Sequence, residues 1–322
     1  MTIFFHRLRS ILSLSLLIFI WCFTVGCSAV QLRDAQDNFN KGAEIELKAL
    51  DRSLLSDKPD ANPGDALAAL NEYRLAHTLA QQLIEEKSNE LRQDKLLGAT
   101  YILNAMALWR ISDLEGDSPK KGEEPGATGD EKKEQGNQVT STRQKLLAVL
   151  NQIKNAENEE QITLGTRDKV LHKALYGFYD HDGGRAENNY AKARVWFQSA
   201  IKRQKESLDG DVPQQHPIRV YVGSAQLRTL SSWEFARYIQ IKNNNETSRN
   251  ENCISNPNSD ICEELKKERT DLMGDEETIV EETKNVICVL KPFWEKNEEV
   301  KKSLSKLLAP IGLVTIEFVE CL

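Results

Sequence analysis

Apolar residues recur at steps of three and four along most of this chain, and that spacing limits the possible folds more than any other feature. One stripe runs from Leu32 to Leu54, and later ones occupy 66–84, 97–111, 146–153, 170–178, 190–206 and 218–242. Such steps place apolar side chains on one face of an α-helix. No alternating run of strand length precedes the C-terminal segment. The sequence therefore predicts an all-α fold, with antiparallel helix pairs stacked as a solenoid or gathered in an irregular helical bundle.

Polar stretches interrupt the helical pattern at three places. From Glu115 to Ser141 the sequence consists almost entirely of Gly, Pro, Thr, Gln and charged residues. Such a composition cannot bury enough apolar surface to offset the entropy of ordering, so we expect a mobile, solvated insertion. A shorter insertion is predicted at 180–189, after a helix ending near Tyr179. A third polar stretch, 243–252, precedes the cysteine-bearing end.

One helical segment has a characteristic order of aromatic and small residues. Tyr190 precedes Ala193 by three, Ala193 precedes Phe197 by four, and Phe197 precedes Ala200 by three. This order resembles the second helix of a tetratricopeptide repeat, in which small residues admit a neighbouring helix and the aromatic ring fills the gap. A fainter echo of the first helix lies at 101–111. The resemblance implies stacked helix pairs, whereas the lack of a strict 34-residue period leaves an irregular helical bundle as the alternative.

The N-terminus has the organisation of an export signal. Basic residues near the start are followed by an apolar run from Ile11 to Val25 and then by Gly26 and Cys27. The small residue before the cysteine resembles the lipobox of bacterial lipoproteins. The resemblance implies cleavage after Gly26, acylation of Cys27, including palmitate, and, with Ser28 next, an outer-membrane protein facing the periplasm. An uncleaved membrane-anchoring helix is the alternative.

Four cysteines remain after Cys27, and all lie in the last quarter of the chain. An exported protein with an even number of cysteines is expected to form disulfides, and four cysteines allow three connectivities. We predict that Cys253 pairs with Cys262, because a turn-rich segment separates them, and that Cys288 pairs with Cys321. A zinc site is the alternative. No short Cys-x-x-Cys spacing supports it.

Together these features predict five segments. They are a signal peptide at 1–26, N-terminal helical repeats at 27–114, a polar insertion at 115–141, tetratricopeptide-like repeats at 142–246 and a cysteine-containing helical cap at 247–322. The formal net charge is −7, and it becomes −9 without the first 26 residues, which carry Arg7 and Arg9 and no acid. An acidic chain without a basic stripe does not bind nucleic acid by neutralising phosphates, so no nucleic-acid partner is expected.

One short motif invites a metal-binding interpretation. Asp180, His181 and Asp182 precede two glycines, and Glu187 follows. A helix-loop-helix calcium site needs a ligand at position five and a bidentate Glu at position twelve. Gly184 and Ala191 occupy those positions. A loop of turn-forming residues explains the composition equally well, and we predict no metal and no cofactor.

The remaining histidines, His77, His172 and His216, belong to no nucleophile or zinc motif, and no glycine-rich phosphate loop follows a strand. We therefore predict that the protein is not an enzyme. Seven aromatic residues could line a peptide groove, although helix spacing favours the core for most of them; they are Trp196, Tyr221, Trp233, Phe235, Tyr238, Phe293 and Trp294. The final segment, 310–322, is expected to cap the helices.

These features predict a membrane-anchored periplasmic scaffold lipoprotein that binds an envelope protein or peptide through its helical repeats. Part of this expectation is an analogy from fold to function. A second hypothesis is a small-molecule-binding lipoprotein associated with periplasmic solute uptake, which would need an enclosed polar pocket. A third is an envelope hydrolase with a dispersed site, which would need converging histidine and carboxylate groups.

Overall fold

The computed structural model describes residues 27–55, 63–117, 130–209 and 212–295. Within these ranges the chain forms eight α-helices and no strand, which confirms the predicted all-α fold. The helices are α1 (Cys27–Leu55), α2 (Pro63–Gln93), α3 (Leu97–Asp117), α4 (Asp130–Asn158), α5 (Thr166–Ala186), α6 (Tyr190–Ser207), α7 (Ile218–Asn250) and α8 (Asp260–Trp294). None of these described helices has the length and apolar character that crossing a membrane requires.

The chain divides into two compact units. The first comprises residues 1–114 and 151–164, and the second comprises 115–150 and 165–322. The predicted signal peptide at 1–26 and the predicted terminal cap at 310–322 lie outside the described residues.

Aromatic packing holds α1 against α2 in the first unit. Tyr73 is fully buried and its ring lies 5.2 Å from that of Phe39. A Cβ on Gly42 would come within 2.9 Å of the Tyr73 ring, so only glycine lets the two helices approach this closely without displacing the tyrosine. The surrounding core includes Ala69, Leu70 and Ile111.

A buried ion cluster connects α1 with α3 in the same unit. The Arg110 guanidinium donates to Asp113 over 2.5 Å and to Glu46 over 3.1 Å, and Tyr73 also donates to Glu46. Burial lowers the pKa of Arg110, but the carboxylates of Asp113 and Glu46 raise that pKa further than burial lowers it. The guanidinium therefore stays charged. Removing one member of such a cluster leaves an uncompensated buried charge, so the cluster fixes how these helices pack.

The second unit has its core where α6, α7 and α8 meet. Phe197 and Trp233 are each 1 % exposed there, and Ile279 and Ile287 are fully buried. Ala193 and Ala200, which the sequence pattern assigned to the same packed face as Phe197, are also buried. The 190–201 spacing thus predicted correctly which face of α6 is buried.

The predicted polar insertion at 115–141 differs from the structure at both ends. Helix α3 continues to Asp117, and α4 begins at Asp130, so residues 130–141 are helical. Asp130 and Glu131 favour a helix N-terminus through the helix dipole, and the Lys, Glu and Gln residues that follow are good helix formers. A low apolar content was therefore not sufficient to predict an unstructured segment at 130–141.

The polar stretch at 243–252 is also helical over most of its length, because α7 continues to Asn250. The carboxylate of Glu268 on α8 accepts hydrogen bonds from the amides of Gln240 and Asn244, each over 2.9 Å. These bonds to another helix offset the weak helix propensity of the asparagines.

Candidate binding site on helices α5 and α6

The segment predicted as a second insertion is the end of helix α5. Residues 180–184 are helical and buried, and only 187–189 connect α5 to α6. The glycines serve close packing here. A Cβ on Gly184 would lie 2.7 Å from the Phe197 ring, and one on Gly177 would lie 2.7 Å from the Gln204 side chain. The prediction of a loop at 180–186 was therefore wrong, because glycine can also mark the contact between two helices.

Helix α6 begins at a capped end. The Asn189 side chain accepts a hydrogen bond from the Lys192 amide over 3.1 Å, which satisfies one of the free N–H groups of the first turn. With this start fixed, α6 directs Phe197 and Ala200 toward the core, while Trp196, Ser199 and Arg203 lie along the edge beside α5.

Asp180 anchors a polar cluster between the two helices. Its Oδ2 atom accepts a hydrogen bond from Ser199 over 2.7 Å and forms an ion pair with Arg203 over 2.8 Å. Burial raises the pKa of Asp180, whereas the Ser199 hydrogen bond and the positive charges of Arg203 and Arg143 oppose that rise. The carboxylate is thus held in place at the base of the cluster.

Arg143 of α4 lies between two aromatic rings. Its guanidinium carbon is 4.1 Å from the ring centroid of Tyr179 and 4.7 Å from that of Trp196. Its Nε donates to the Tyr179 carbonyl over 3.0 Å. A cation between two rings is attracted to both faces, so Arg143 attaches α4 to α5 and α6. Arg203 lies similarly over Tyr176, at 5.4 Å.

These groups form one partly exposed surface, which we call the α5–α6 site. It consists of Arg143, Tyr176, Tyr179, Trp196 and Arg203 above the buried Asp180. The Arg203 guanidinium pairs with the Asp180 carboxylate, and the positive charge of Arg143 also acts on that carboxylate, so the site holds two cations in a chain whose net charge is −7. Trp, Tyr and Arg are the residues that contribute most often to binding energy at protein interfaces.

The side chains of His181 and Asp182 are not arranged as the ligands of a calcium-binding loop would be. The His181 Nε2 atom lies 3.1 Å from the Ser232 hydroxyl on α7, and its Nδ1 atom lies 3.5 Å from Asp182. The absence of a metal remains a prediction. The Asp180 carboxylate, which the motif placed with Asp182, instead contacts Ser199 and Arg203.

A second polar network holds the three core helices of this unit together. Tyr190 donates to Asp275 over 2.7 Å, and the Trp233 indole donates to the Tyr190 oxygen over 3.2 Å. Arg194 forms an ion pair with Asp275 over 2.8 Å. Burial raises the pKa values of both Tyr190 and Asp275. Because α6 contributes two groups and α7 and α8 one each, the network fixes the three helices relative to one another.

The predicted disulfide between Cys253 and Cys262 is present. Their Cα atoms lie 5.6 Å apart, and the bond closes the turn between α7 and α8. Cys288 also belongs to a disulfide, but Cys321 lies outside the described residues, so the second pairing stays a prediction. The backbone of α1 begins at Cys27, and lipidation of that residue likewise stays a prediction.

The histidines outside the motif bind structural groups. The Nδ1 atom of His77 lies 2.6 Å from the Asn104 side-chain oxygen, and the Nε2 atom of His172 lies 3.1 Å from the Leu150 carbonyl. His216 accepts a hydrogen bond from the Ile218 amide over 3.2 Å.

The seven predicted groove aromatics differ in burial, and Trp196, Tyr221 and Phe293 are half-buried. Trp233 and Trp294 are buried, whereas Phe235 and Tyr238 are 66 % and 59 % exposed. Two residues apart on a helix means opposite faces, so the buried Trp233 implied an exposed Phe235. The sequence did not single out Arg143, because its aromatic partners are more than thirty residues away along the chain. Comparisons with protein-family models, with curated proteins and with solved structures found no match to this chain.

Proposed function

We propose that this protein is a membrane-anchored periplasmic scaffold lipoprotein that binds an envelope protein or peptide at the α5–α6 site. The observation that carries this proposal is the pairing of two arginines with three aromatic rings on one partly exposed surface. Such rings offer large contact area with few rotatable bonds, so little entropy is lost when a partner covers them.

The charge of the α5–α6 site indicates which kind of partner segment it would bind. Arg203 keeps 45 % of its side chain exposed while it pairs with the buried Asp180. The exposed part of that guanidinium can donate to a second carboxylate, so the site favours a partner segment that presents an acidic side chain or a terminal carboxylate. A bidentate pair with an exposed guanidinium would orient that segment.

The anchor rests on the Gly26–Cys27 sequence. Two acyl chains give stable membrane attachment, since each buried methylene contributes about 0.8 kcal/mol. Mass spectrometry of the mature protein should find acyl groups on Cys27, and Cys27→Ala should leave an uncleaved or mislocalised precursor. A mature protein with a free Cys27 thiol would contradict the anchor and leave the binding site untouched.

Site-specific photocrosslinking tests the binding site directly. We expect a benzophenone side chain at Tyr176 to capture a protein of discrete mass in intact cells, and one at Val195, which is 64 % exposed on α6, to capture none. Arg203→Glu should abolish the Tyr176 adduct. The matched change Lys202→Glu, at a neighbouring side chain that is 76 % exposed, should preserve it. Equal capture at both positions, or an adduct insensitive to Arg203→Glu, would argue against the proposal.

The two alternative hypotheses make different demands. A solute-binding protein would bind its ligand in an enclosed pocket, whereas the α5–α6 site lies at the surface. A hydrolase would need a histidine close to a carboxylate. His77 and His172 contact an amide oxygen and a backbone carbonyl, whereas the Nδ1 atom of His181 lies 3.5 Å from Asp182, so His181 is the histidine on which this alternative depends.

A further inference from the structure

Cys27, the residue expected to carry the acyl chains, belongs to a packed helix. Helix α1 already includes it, and the next residue, Ser28, is fully buried. Seven residues further along the helix, Ala35 is fully buried too. A flexible tether of n residues lets a protein move about 5–6 Å × √n from its attachment point. No such tether separates Cys27 from the fold, so the attachment point lies on the surface of the first unit.

Helices α1 and α2 are antiparallel. Gly42 lies against the Tyr73 ring; thirteen residues of α1 follow Gly42, and ten residues of α2 precede Tyr73. In a parallel pair, the 1.5 Å rise per residue would put Leu55 and Pro63 about 35 Å apart along the axis. The eight steps of chain between these two residues span at most about 29 Å. The chain can therefore connect the two helices only if they run in opposite directions.

This arrangement places the α2–α3 turn at the same end of the unit as Cys27. Counting along both helices from the contact at Tyr73, Ser28 lies level with Lys87. Helix α2 continues to Gln93, with a bend at Lys87, whose backbone is non-helical (φ −131°, ψ 19°). The turn that follows α2 therefore lies level with the start of α1 or beyond it.

A second connecting segment lies at this end as well. The Arg92 guanidinium donates to the side-chain oxygen of Gln161 over 3.3 Å. The segment 159–164 is therefore beside the α2–α3 turn. We call Cys27 together with residues 88–96 and 159–164 the anchor end of the first unit.

The anchor end is not basic. Its charged side chains are four acids and two bases: Glu90, Asp94, Glu159 and Glu160 against Arg92 and Lys95. Attraction to anionic lipids would need the opposite balance. Contact with a membrane at this end therefore has to come from the acyl chains, and it should not depend on anionic lipids.

The flanks of the helix pair are unsuited to lying on a membrane. A helix that lies in the interface has a continuous apolar face. On α1 the exposed side chains beyond Val30 include a series of charged groups, which are Arg33, Asp37, Lys41, Glu44 and Lys48. On α2 Leu67 and Leu75 are exposed, but the exposed Arg74 lies between them. The helix pair therefore points away from a membrane that holds Cys27.

We infer that the anchor end rests directly on the lipid headgroups, so that the first unit stands on the membrane without a tether. This inference rests on the proposed acylation of Cys27. Two acyl chains hold Cys27 at the surface of the bilayer. The α2–α3 turn, which lies at the same level, then contacts the headgroups, and a bilayer of zwitterionic phospholipid is sufficient for this contact.

Fluorescence quenching by lipids measures this contact. The full-length acylated protein is placed in phosphatidylcholine vesicles, in which part of the lipid carries a nitroxide on its headgroup and quenches only nearby fluorophores. The described cysteines after Cys27 all belong to disulfides, so an introduced cysteine provides the thiol for the fluorophore. Two positions are compared: Asp94 in the α2–α3 turn and, as the control, Lys48 on α1. Both are exposed, so neither label disturbs the core.

The two labels should behave differently. A fluorophore on Asp94→Cys should lose most of its fluorescence in the nitroxide vesicles. One on Lys48→Cys, about 31 Å from Cys27 along α1, should keep its fluorescence. Inserting about twenty Ser and Gly residues, beginning with Ser, between Cys27 and Ser28 creates a tether of about 25 Å. The Asp94 label should then regain most of its fluorescence. Circular dichroism of each variant verifies the fold.

Three results would overturn the inference and leave the anchor in place. One is an Asp94 label that stays fluorescent although mass spectrometry finds acyl chains on Cys27. The others are a Lys48 label quenched as strongly as the Asp94 label, and an Asp94 label that stays quenched on the tethered protein. Absence of acyl chains on Cys27 would refute the anchor and this inference together. The α5–α6 site belongs to the second unit, so its proposal stands or falls separately.

Discussion

Replacing Gly184 with alanine tests how α5 and α6 pack. The new Cβ would lie 2.7 to 2.9 Å from three carbons of the Phe197 ring. Gly184 is buried and Phe197 is 1 % exposed, so neither has free space to move into. Overpacking a core typically costs about 1–3 kcal/mol. Alanine regains up to about 1 kcal/mol of helix propensity. We therefore expect Gly184→Ala to lower the free energy of unfolding by up to about 2 kcal/mol.

Gly274 provides the matched control for this substitution. It lies within α8, is exposed, and has no atom within 4 Å of the position that a Cβ would occupy. Gly274→Ala should therefore raise the free energy of unfolding by about 0.5–1 kcal/mol through helix propensity alone. Urea unfolding of the full chain, followed by circular dichroism, compares the midpoints of the two variants at an unchanged slope.

A double substitution identifies the cause. Phe197→Leu removes ring carbons from the place where the alanine methyl would go, so the pair should be less destabilised than the sum of the single changes. Neighbouring residues that share a contact show coupling of at least about 0.5 kcal/mol in such a cycle. If Gly184→Ala stabilised the protein as Gly274→Ala does, the close approach of α5 and α6 would be refuted.

Three further outcomes follow from the second unit. Tyr190→Phe should lower the free energy of unfolding, measured in urea, by about 1–2 kcal/mol, because the buried Asp275 loses a hydrogen bond. An unchanged free energy of unfolding would show that this hydrogen bond does not stabilise the packing of the helices. Breaking the disulfide with Cys253→Ser should cost roughly 2–3 kcal/mol by loop entropy, and unchanged stability would show that helix packing alone closes the turn around Cys262. Burial raises the folded-state pKa of Asp180 above its ordinary value of 3.8, so the folded state binds that proton more tightly than the unfolded state does. Stability should consequently fall as the pH rises from 3.8 through the folded pKa, and the free-energy difference between wild type and Asp180→Asn should change over that window; a constant difference would contradict this.

The buried faces of the helices could be predicted because helical periodicity is a local property. The order of Ala193, Phe197 and Ala200 along α6 predicted a buried face, and these residues are at most 2 % exposed. The disulfide between Cys253 and Cys262 was also predictable, since its two cysteines are separated by a short turn-forming segment. In each case the residues that decide the structure are close together in the sequence.

The loop predicted at 180–189 was wrong because a pair of glycines in a sequence can have two physical causes, a turn or the close packing of two helices. Gly183 and Gly184 have the composition of a turn, but in the structure they make room for Arg143 and Phe197. A helical glycine costs about 1 kcal/mol relative to alanine. That cost is offset only by a contact with another helix, and such a contact cannot be read from the residues beside the glycine. The sequence therefore gave no basis for choosing between a loop and a closely packed helix.

The α5–α6 site was harder to predict because it combines three helices. Trp196 was among the predicted groove aromatics, but nothing in the sequence near it indicates that Arg143 packs against its ring. Arg143 comes from α4, which sequence analysis assigned partly to a mobile insertion. The contact between Arg143 and Trp196 exists because Gly183 lets the guanidinium lie against α5. Because Gly183 and Gly184 were interpreted as part of a loop, the sequence predicted neither the end of α5 nor the contact between α5 and Arg143. The site exists only because α5 continues through these two glycines.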